Sequence, residues 1–248
     1  MPAAGRRRPS ALAADTQALV FVADMYGVQL DHLAAVLAVT PRRAAAAVTR
    51  WRTAAIASAA VLSAGPRWVW LTGAGMTACG LPYAAAAPGL SRLAHLRAVT
   101  AVRLALAATP EFVAAAAYWR SERELRAKMG GRIGLREHVP DGELHWPDSA
   151  PFRWAGECWA IEAELTPKTS ARTVSIMREV LTRTGDYGCL AADIRVAGRT
   201  PRHARAIYVC SPAAQGVVTR AREALGGLGE RVEIRLLPPD AELGERLP

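Results

Sequence analysis

Glu162 and Glu164 stand two residues apart in the run WAIEAELTPK, and Lys168 follows four residues later. Trp159, Ile161, Ala163 and Leu165 alternate there with Ala160, Glu162, Glu164 and Thr166, the period of a β-strand. A strand turns both glutamates to one face, about 7 Å apart. On an inner strand two such carboxylates repel and lose water, so a cation or a proton must sit with them. Asp141, in Pro140-Asp141-Gly142 at the entry of the preceding strand, supplies a third carboxylate. An all-oxygen set of that kind suits Mg²⁺ or Mn²⁺. Lys168 is conspicuous because Lys128 is the one other lysine among 31 basic residues.

Each of these features has a plainer alternative. Pro140-Asp141-Gly142 alone is a common turn. On an edge strand Glu162 and Glu164 would simply face water. His138, Asp141 and His145 suggest a transition-metal set, but the two histidines stand at odd spacing across a turn. Asp148, Glu143 and Glu157 read as loop and surface charges.

The segment around the acids predicts an α/β sandwich. Pro110 to Lys128 reads as a helix carrying Glu111, Glu122 and Glu124, stopped at Gly130-Gly131. Strands are expected over Arg132–Val139, Gly142–Trp146 and Cys158–Leu165, then a helix over Ser170–Arg183. Strands over Gly188–Val196 and Ala204–Cys210, a helix over Pro212–Leu225 and a strand over Arg231–Leu237 complete it. The order αβββαββαβ implies a sheet covered by helices.

The front of the chain is different in charge. Residues 1–110 hold 11 arginines against three aspartates, a net of +8 out of the chain's +9. Coding bias toward arginine and alanine would raise the pI, near 10.1, but would not strip the acids from one half. A basic part and a balanced part indicate two domains, the first suited to a polyanion. Helices are expected over Asp15–Met25, Leu30–Leu37 and Pro41–Ala54. The last opens on Thr40-Pro41, a capping hydroxyl before a proline. It carries Arg42, Arg43, Arg50 and Arg52 and is expected to bury Ala45, Val48 and Trp51. A short helix, a tight turn and an arginine-led helix follow the helix-turn-helix plan. The runs Ala59–Ser63 and Arg67–Leu71 around Ala64-Gly65-Pro66 predict a hairpin, with Arg67 at its tip, and Thr72 caps a further helix. Three helices and a hairpin make a winged helix; the plainer alternative is a small bundle with solvated arginines. Leu90–Ala107 reads as an amphipathic linking helix on which His95 has a structural role.

With 248 residues, 51% hydrophobic and 21% charged, the chain is globular and has room for two domains. Cys79, Cys158, Cys189 and Cys210 form no CxxC pair, which argues against a zinc ribbon or disulfide scaffold and suits a cytoplasmic location. Arg6, Arg7 and Arg8 precede an apolar run, but Asp15 and Asp24 interrupt it, so a flexible basic arm over 1–10 is expected rather than a signal peptide. Trp68 to Ser91 is 24 residues without a charge, yet its glycines and prolines argue against a spanning helix, and no membrane association is expected.

Pro140-Asp141, the strand with Glu162-x-Glu164 and the lysine beyond it resemble the PD-(D/E)xK nuclease pattern. With LTGAG, LAHLRAV, WRSERELR, HVPDGEL and AIEAELTPK, residues 12–230 resemble the actinobacterial replication-relaxation family. The fold class implied is α+β: a winged helix over 11–88, a linking helix over 89–109, and a restriction-endonuclease-like domain with a mixed sheet over 110–248. The resemblance makes Asp141 and Glu162 metal ligands for Mg²⁺ or Mn²⁺. Glu164 departs from the pattern, standing where lysine is usual; it becomes a further ligand, with Lys168 reaching back to the phosphate. Glu122 or Glu124 resembles the first-helix carboxylate, and Arg172 or Arg178 a phosphate contact. The implied activity is metal-dependent cleavage or nicking of double-stranded DNA in plasmid or mobile-element replication or transfer, with replication or transfer proteins as partners. The alternative is a non-catalytic regulator whose nuclease-like domain mediates dimerisation or docking. Helix-turn-helix proteins in general make a homodimer an expectation, though no residue here marks its face.

Overall fold

The computed structural model describes residues 11–63, 65–128, 138–185 and 201–237. The arm over 1–10, most of the expected strand Arg132–Val139 and the expected strand Gly188–Val196 lie outside the described residues. The chain is mixed α+β and divides into two compact units, residues 1–90 and 91–248. Among the described residues, no helix is long and apolar enough to cross a membrane.

In the first unit, helix α1 (Ala11–Asp24) buries Leu19, Val22 and Ala23. A two-residue strand β1 (Val28–Gln29) leads into α2 (Leu30–Val36) and α3 (Pro41–Thr53). Pro41 opens α3 because its fixed φ suits a first turn, and Thr40 Oγ1 accepts from Arg43 N at 3.4 Å. The buried face of α3 is Ala44, Ala47, Val48 and Trp51, so Ala45 lies one position off it. Strands β2 (Ala57–Ala60) and β3 (Trp68–Leu71) pair antiparallel, and β1 joins on the other side of β3 in the order β1-β3-β2. The short strand β1 was not expected; two residues are too few for a periodic signal. Thr72 caps α4 (Gly73–Ala78), accepting from Gly75 N at 3.1 Å. Gly75 is required there, since a Cβ would lie 2.1 Å from the Ile56 carbonyl oxygen.

The second unit begins with α5 (Leu93–Ala107) and α6 (Pro110–Ala115). Read in the sequence as a linker, α5 belongs to this unit and packs on its sheet. The single helix expected over Pro110–Lys128 is instead three elements. Ala116 turns left-handed at φ 51 and ends α6, strand β4 (Tyr118–Ser121) follows, and α7 (Glu122–Lys128) resumes. The physical reason is Trp119, whose ring packs flat on Gly142; a Cβ at that glycine would lie 2.0 Å from it. Four alanines precede the aromatic pair and helix-forming Glu, Arg and Leu follow it, which masks the break.

Strand β4 edges a five-stranded sheet completed by β5 (Gly142–His145), β6 (Cys158–Glu164), β7 (Arg205–Cys210) and β8 (Val232–Leu236), in chain order. The two junctions nearer β4 are antiparallel and the two nearer β8 parallel. Parallel neighbours need crossovers, and α8 (Ser170–Thr182) and α9 (Pro212–Glu223) provide the covering helices. Met177, Val180, Leu181, Ala214, Val218 and Ala221 from these helices close over Ala160, Ala206, Tyr208 and Cys210. Arg103 of α5 lies over Trp119, on the opposite face of the sheet. Strand β6 is therefore central and covered on both sides.

Candidate active site

The central placement of β6 removes the edge-strand reading of its acids. Glu162 is 3% exposed and Glu164 5%, so neither is a solvated edge-strand charge. Both share the Ala160 face that lies under α8. Gly142 pairs with Ile161, which sets Asp141, one residue earlier, beside Glu162. Asp141 is locked there by the backbone: its Oδ2 accepts from Ala163 N at 2.8 Å.

Each carboxylate meets its own basic partner. Asp141 Oδ1 lies 2.8 Å from His95 Nε2, and Glu162 Oε1 lies 2.5 Å from His138 Nε2. Glu164 Oε1 accepts from Lys168 Nζ. His138 is steadied by its own amide, which donates to Glu179 Oε1 of α8 at 2.9 Å. Burial pushes against a charge on His95, but the hydrogen bond and charge of Asp141 prevail and raise its pKa. His138 is raised in the same way by Glu162, against its burial. Glu162 is pushed up to about 7, by burial first and then by Asp141 and Glu164, with His138 opposing. The structure thus brings Asp141, Glu162, Glu164 and Lys168 to one end of one strand, with carboxylates turned to separate partners. The two histidines each pair with one of these carboxylates, and their partners, 46 and 24 residues away, gave no local signal.

The expected accessory residues divide. Glu122 accepts from Arg92 Nη2 and Arg126 Nε, each at 2.7 Å, and its own amide donates to the Asp141 carbonyl. Its charge also reaches His95. Glu124 turns away, to Arg120 at 3.3 Å and Lys128 at 2.9 Å. Arg172 and Arg178 are exposed on α8.

A second constellation lies further along the same face. Glu143, read in the sequence as a surface charge, is 0% exposed. Arg202 grips it through Nε at 2.5 Å and Nη2 at 2.8 Å, and Arg120 Nη1 lies at 3.4 Å. His203 and His145 each bring Nε2 to 2.9 Å, one on each oxygen. Burial alone would raise the pKa of Glu143, but these hydrogen bonds hold it far below the carboxylate range. Among the described residues, Glu143, Cys158 and His203 are the group of three ligating side chains whose donor atoms lie within 4.8 Å of one another. Their thiol and imidazole are not a set for Mg²⁺ or Mn²⁺, and the two guanidinium groups already neutralise Glu143. The pairing of His145 with Glu143, and of His138 with Glu162, also separates His138, Asp141 and His145, the transition-metal set that the spacing argued against.

In the first unit Arg42, Arg43, Arg52 and Arg67 are exposed. Arg50 is tied into the fold: it lies 3.0 Å from Asp15 Oδ2, which also accepts from Trp51 Nε1 at 2.7 Å.

Hard oxygen donors are chemically suited to Mg²⁺ or Mn²⁺. A buried hydroxyl beside them, Tyr208 Oη, has no hydrogen-bond partner among the described residues. Asp141, Glu162 and Glu164 are donors of that kind, but among the described residues their ligand atoms do not come together as a set of three. No protein-family model, curated protein or solved structure matches the chain.

Proposed function

We propose that the second unit hydrolyses DNA phosphodiesters with a divalent cation while the first unit, a winged helix, holds duplex DNA. The carrying observation is the placement of Asp141 beside Glu162 on a covered central strand, with Glu164 and Lys168 continuing the row. Strand, acids and following helix resemble a PD-(D/E)xK nuclease core, and the two units together the replication-relaxation family. Asp141, Glu162 and Glu164 would hold the ion, which supplies Lewis-acid polarisation and an acidified water. The Ala163 amide fixes Asp141, and the His138 contact orients Glu162. Lys168, about one-third exposed at its side chain, can leave Glu164 for a scissile phosphate and stabilise its charge. Supercoiled plasmid with Mg²⁺ or Mn²⁺ is the test. Nicking or linearisation is expected, and EDTA or Asp141→Asn should abolish it.

A specific observation favours the second reading, a non-catalytic DNA-binding regulator. Each carboxylate already has a His or Lys partner, so the row is held without a metal. Plasmid bound but uncut under both metals would select that reading.

Both readings place DNA on α3. Arg42→Ala with Arg43→Ala removes two exposed cations from its first turn. Binding to duplex DNA should weaken, and the log–log salt slope should fall by about 2. Fluorescence anisotropy across a salt series measures both. An unchanged slope would take the α3 arginines out of the interface.

A further inference from the structure

The cluster around Glu143 shares no residue with the acidic row, and its donor atoms do converge. Glu143, Cys158 and His203 each bring one ligand atom within 4.8 Å of the others. They come from three places in the sheet: Glu143 from β5, Cys158 from the start of β6, and His203 from the residues just before β7. Glu143 and His203 are fully buried and Cys158 is half-buried.

The printed contacts match ligands gathered on one ion. Zinc lies about 2.3 Å from a thiolate sulfur and about 2.0–2.1 Å from an imidazole nitrogen or a carboxylate oxygen. At a tetrahedral angle such bonds hold sulfur and nitrogen about 3.5 Å apart. Cys158 Sγ lies 3.6 Å from His145 Nε2. Nitrogen and oxygen stand about 2.9 Å apart when their bonds to the ion meet at about 90°. His203 Nε2 lies 2.9 Å from Glu143 Oε1. His145, beside the thiol and 2.9 Å from the second Glu143 oxygen, is the nearest further donor. Its ring is held by stacking on Tyr118, with 4.7 Å between centroids.

The hydrogen bonds of His203 also point to a cation. The Val180 carbonyl can only accept, so His203 Nδ1, 3.0 Å away, carries a proton. A neutral ring then aims the Nε2 lone pair at Glu143 Oε1, acceptor against acceptor. That contact is attractive only with a second proton or a metal ion on Nε2. A backbone carbonyl on the far nitrogen is the usual outer partner of a ligating histidine. Arg202 does the same for the carboxylate, spanning both oxygens of Glu143, while Arg120 is shared with Glu124. A Cys158 thiolate and the Glu143 carboxylate match the two charges of the ion. Sulfur and imidazole beside one carboxylate select a zinc-like ion over Mg²⁺ or Mn²⁺.

We propose that Glu143, Cys158 and His203 form a Zn²⁺ site, with His145 as the fourth donor and Arg202 orienting the carboxylate. The thiol gives its proton to solvent as the sulfur binds. Cys158 and His145 are the partly exposed members, so the ion enters past them. Once bound it ties β5 and β6 to the chain entering β7, which makes its role structural.

Co²⁺ reports on such a site, because a thiolate ligand gives it a charge-transfer absorption in the near ultraviolet. The full chain, reduced, stripped with EDTA and desalted, is titrated with Co²⁺. One equivalent should develop the absorption, and Zn²⁺ but not Mg²⁺ should bleach it. Cys158→Ser should lose the absorption and bind Zn²⁺ about a hundredfold more weakly or worse. Cys79→Ser, in the first unit, should match wild type. Asp141→Asn should keep the absorption, so the result stands apart from the nuclease reading. A second measurement needs no variant. Saturating Zn²⁺ should slow alkylation of Cys158 by iodoacetamide about tenfold and raise the melting temperature by about 5 °C, both reversed by EDTA. A cluster held by protons alone gives no Co²⁺ absorption and no protection of Cys158. Either result, or an absorption that persists in Cys158→Ser, overturns the site.

Discussion

Glu143→Gln should lower the melting temperature by roughly 10 °C, the largest stability loss expected of any single surface-sized change in the second unit. The glutamine keeps the volume but brings an amide NH₂ toward groups that are themselves donors. Arg202 through two nitrogens, His203 and His145 now converge on Glu143, with Arg120 behind them. Taking away one partner of a buried ionic cluster leaves the others desolvated and uncompensated, at about 3–5 kcal/mol. For a unit of this size that amount corresponds to the temperature shift above. Glu233→Gln is the control. Its partner Arg235 is 2.7 Å away, but both side chains are more than two-fifths exposed, and loss of that pair should change stability by less than about 1 kcal/mol. Calorimetry on both variants measures the difference, and a Glu143→Gln melt within about 2 °C of wild type would show the cluster to be dispensable.

Glu143 also fixes a pH dependence. Its folded pKa is depressed far below the ordinary value of 4.5. A depressed acid binds protons more readily unfolded than folded, so its stabilisation is complete above about pH 4.5 and disappears as pH falls toward the folded value. Wild type should lose stability steeply below pH 4.5. Glu143→Gln, already lacking that contribution, should show a shallower acid limb in melts taken between pH 3 and 6.

That residue also shows where reading the sequence ends. Glu143 follows Pro140-Asp141-Gly142 closely, and such turns are usually exposed, so its chemistry looked like that of a surface acid. Arg202 and His203, which make it a core charge, are 59 and 60 residues away. The same distance limit hid the partners of His95 and His138. By contrast, β5, β6, β7, β8, α8 and α9 each lie within a few residues of their expected bounds, since period-two and helical patterns end at strong turn or cap signals. The failure at Tyr118–Ser121 has a different origin. The alanines before it and the Glu, Arg and Leu after it favour a helix by propensity, and the docking of Trp119 on Gly142, a tertiary contact, overrides them. Strand alternation placed Glu162 and Glu164 on one face without help from the fold. Whether that face was wet or covered depended on the order of the strands, which periodicity does not encode.

Glu162→Gln should move stability and activity in opposite directions. Glu162 is raised from the ordinary 4.5 to about 7. A raised acid favours folding fully below about pH 4.5, and that contribution is lost as pH rises through about 7. Above pH 7 the folded chain must hold a carboxylate that is buried beside Asp141 and Glu164. Glutamine imitates the protonated form. In EDTA the variant should therefore melt close to wild type at pH 5 and about 6 °C or more higher at pH 8, a rise from 4.5 to about 7 being worth about 3 kcal/mol and each 1 kcal/mol about 2–4 °C. His138 loses its anion in the variant but can discard its proton to water, so its orphaning offsets little of the gain. Metal-dependent nicking at pH 8 should meanwhile fall at least a thousandfold, about 4 kcal/mol of barrier, since the amide is a poor ligand for a hard cation. A carboxylate kept for the fold would behave otherwise: its replacement would destabilise at pH 8 and leave nicking within a few-fold. On the nuclease reading proposed above, the stability lost at Glu162 above neutral pH is the cost of keeping a carboxylate on β6 for a metal ion.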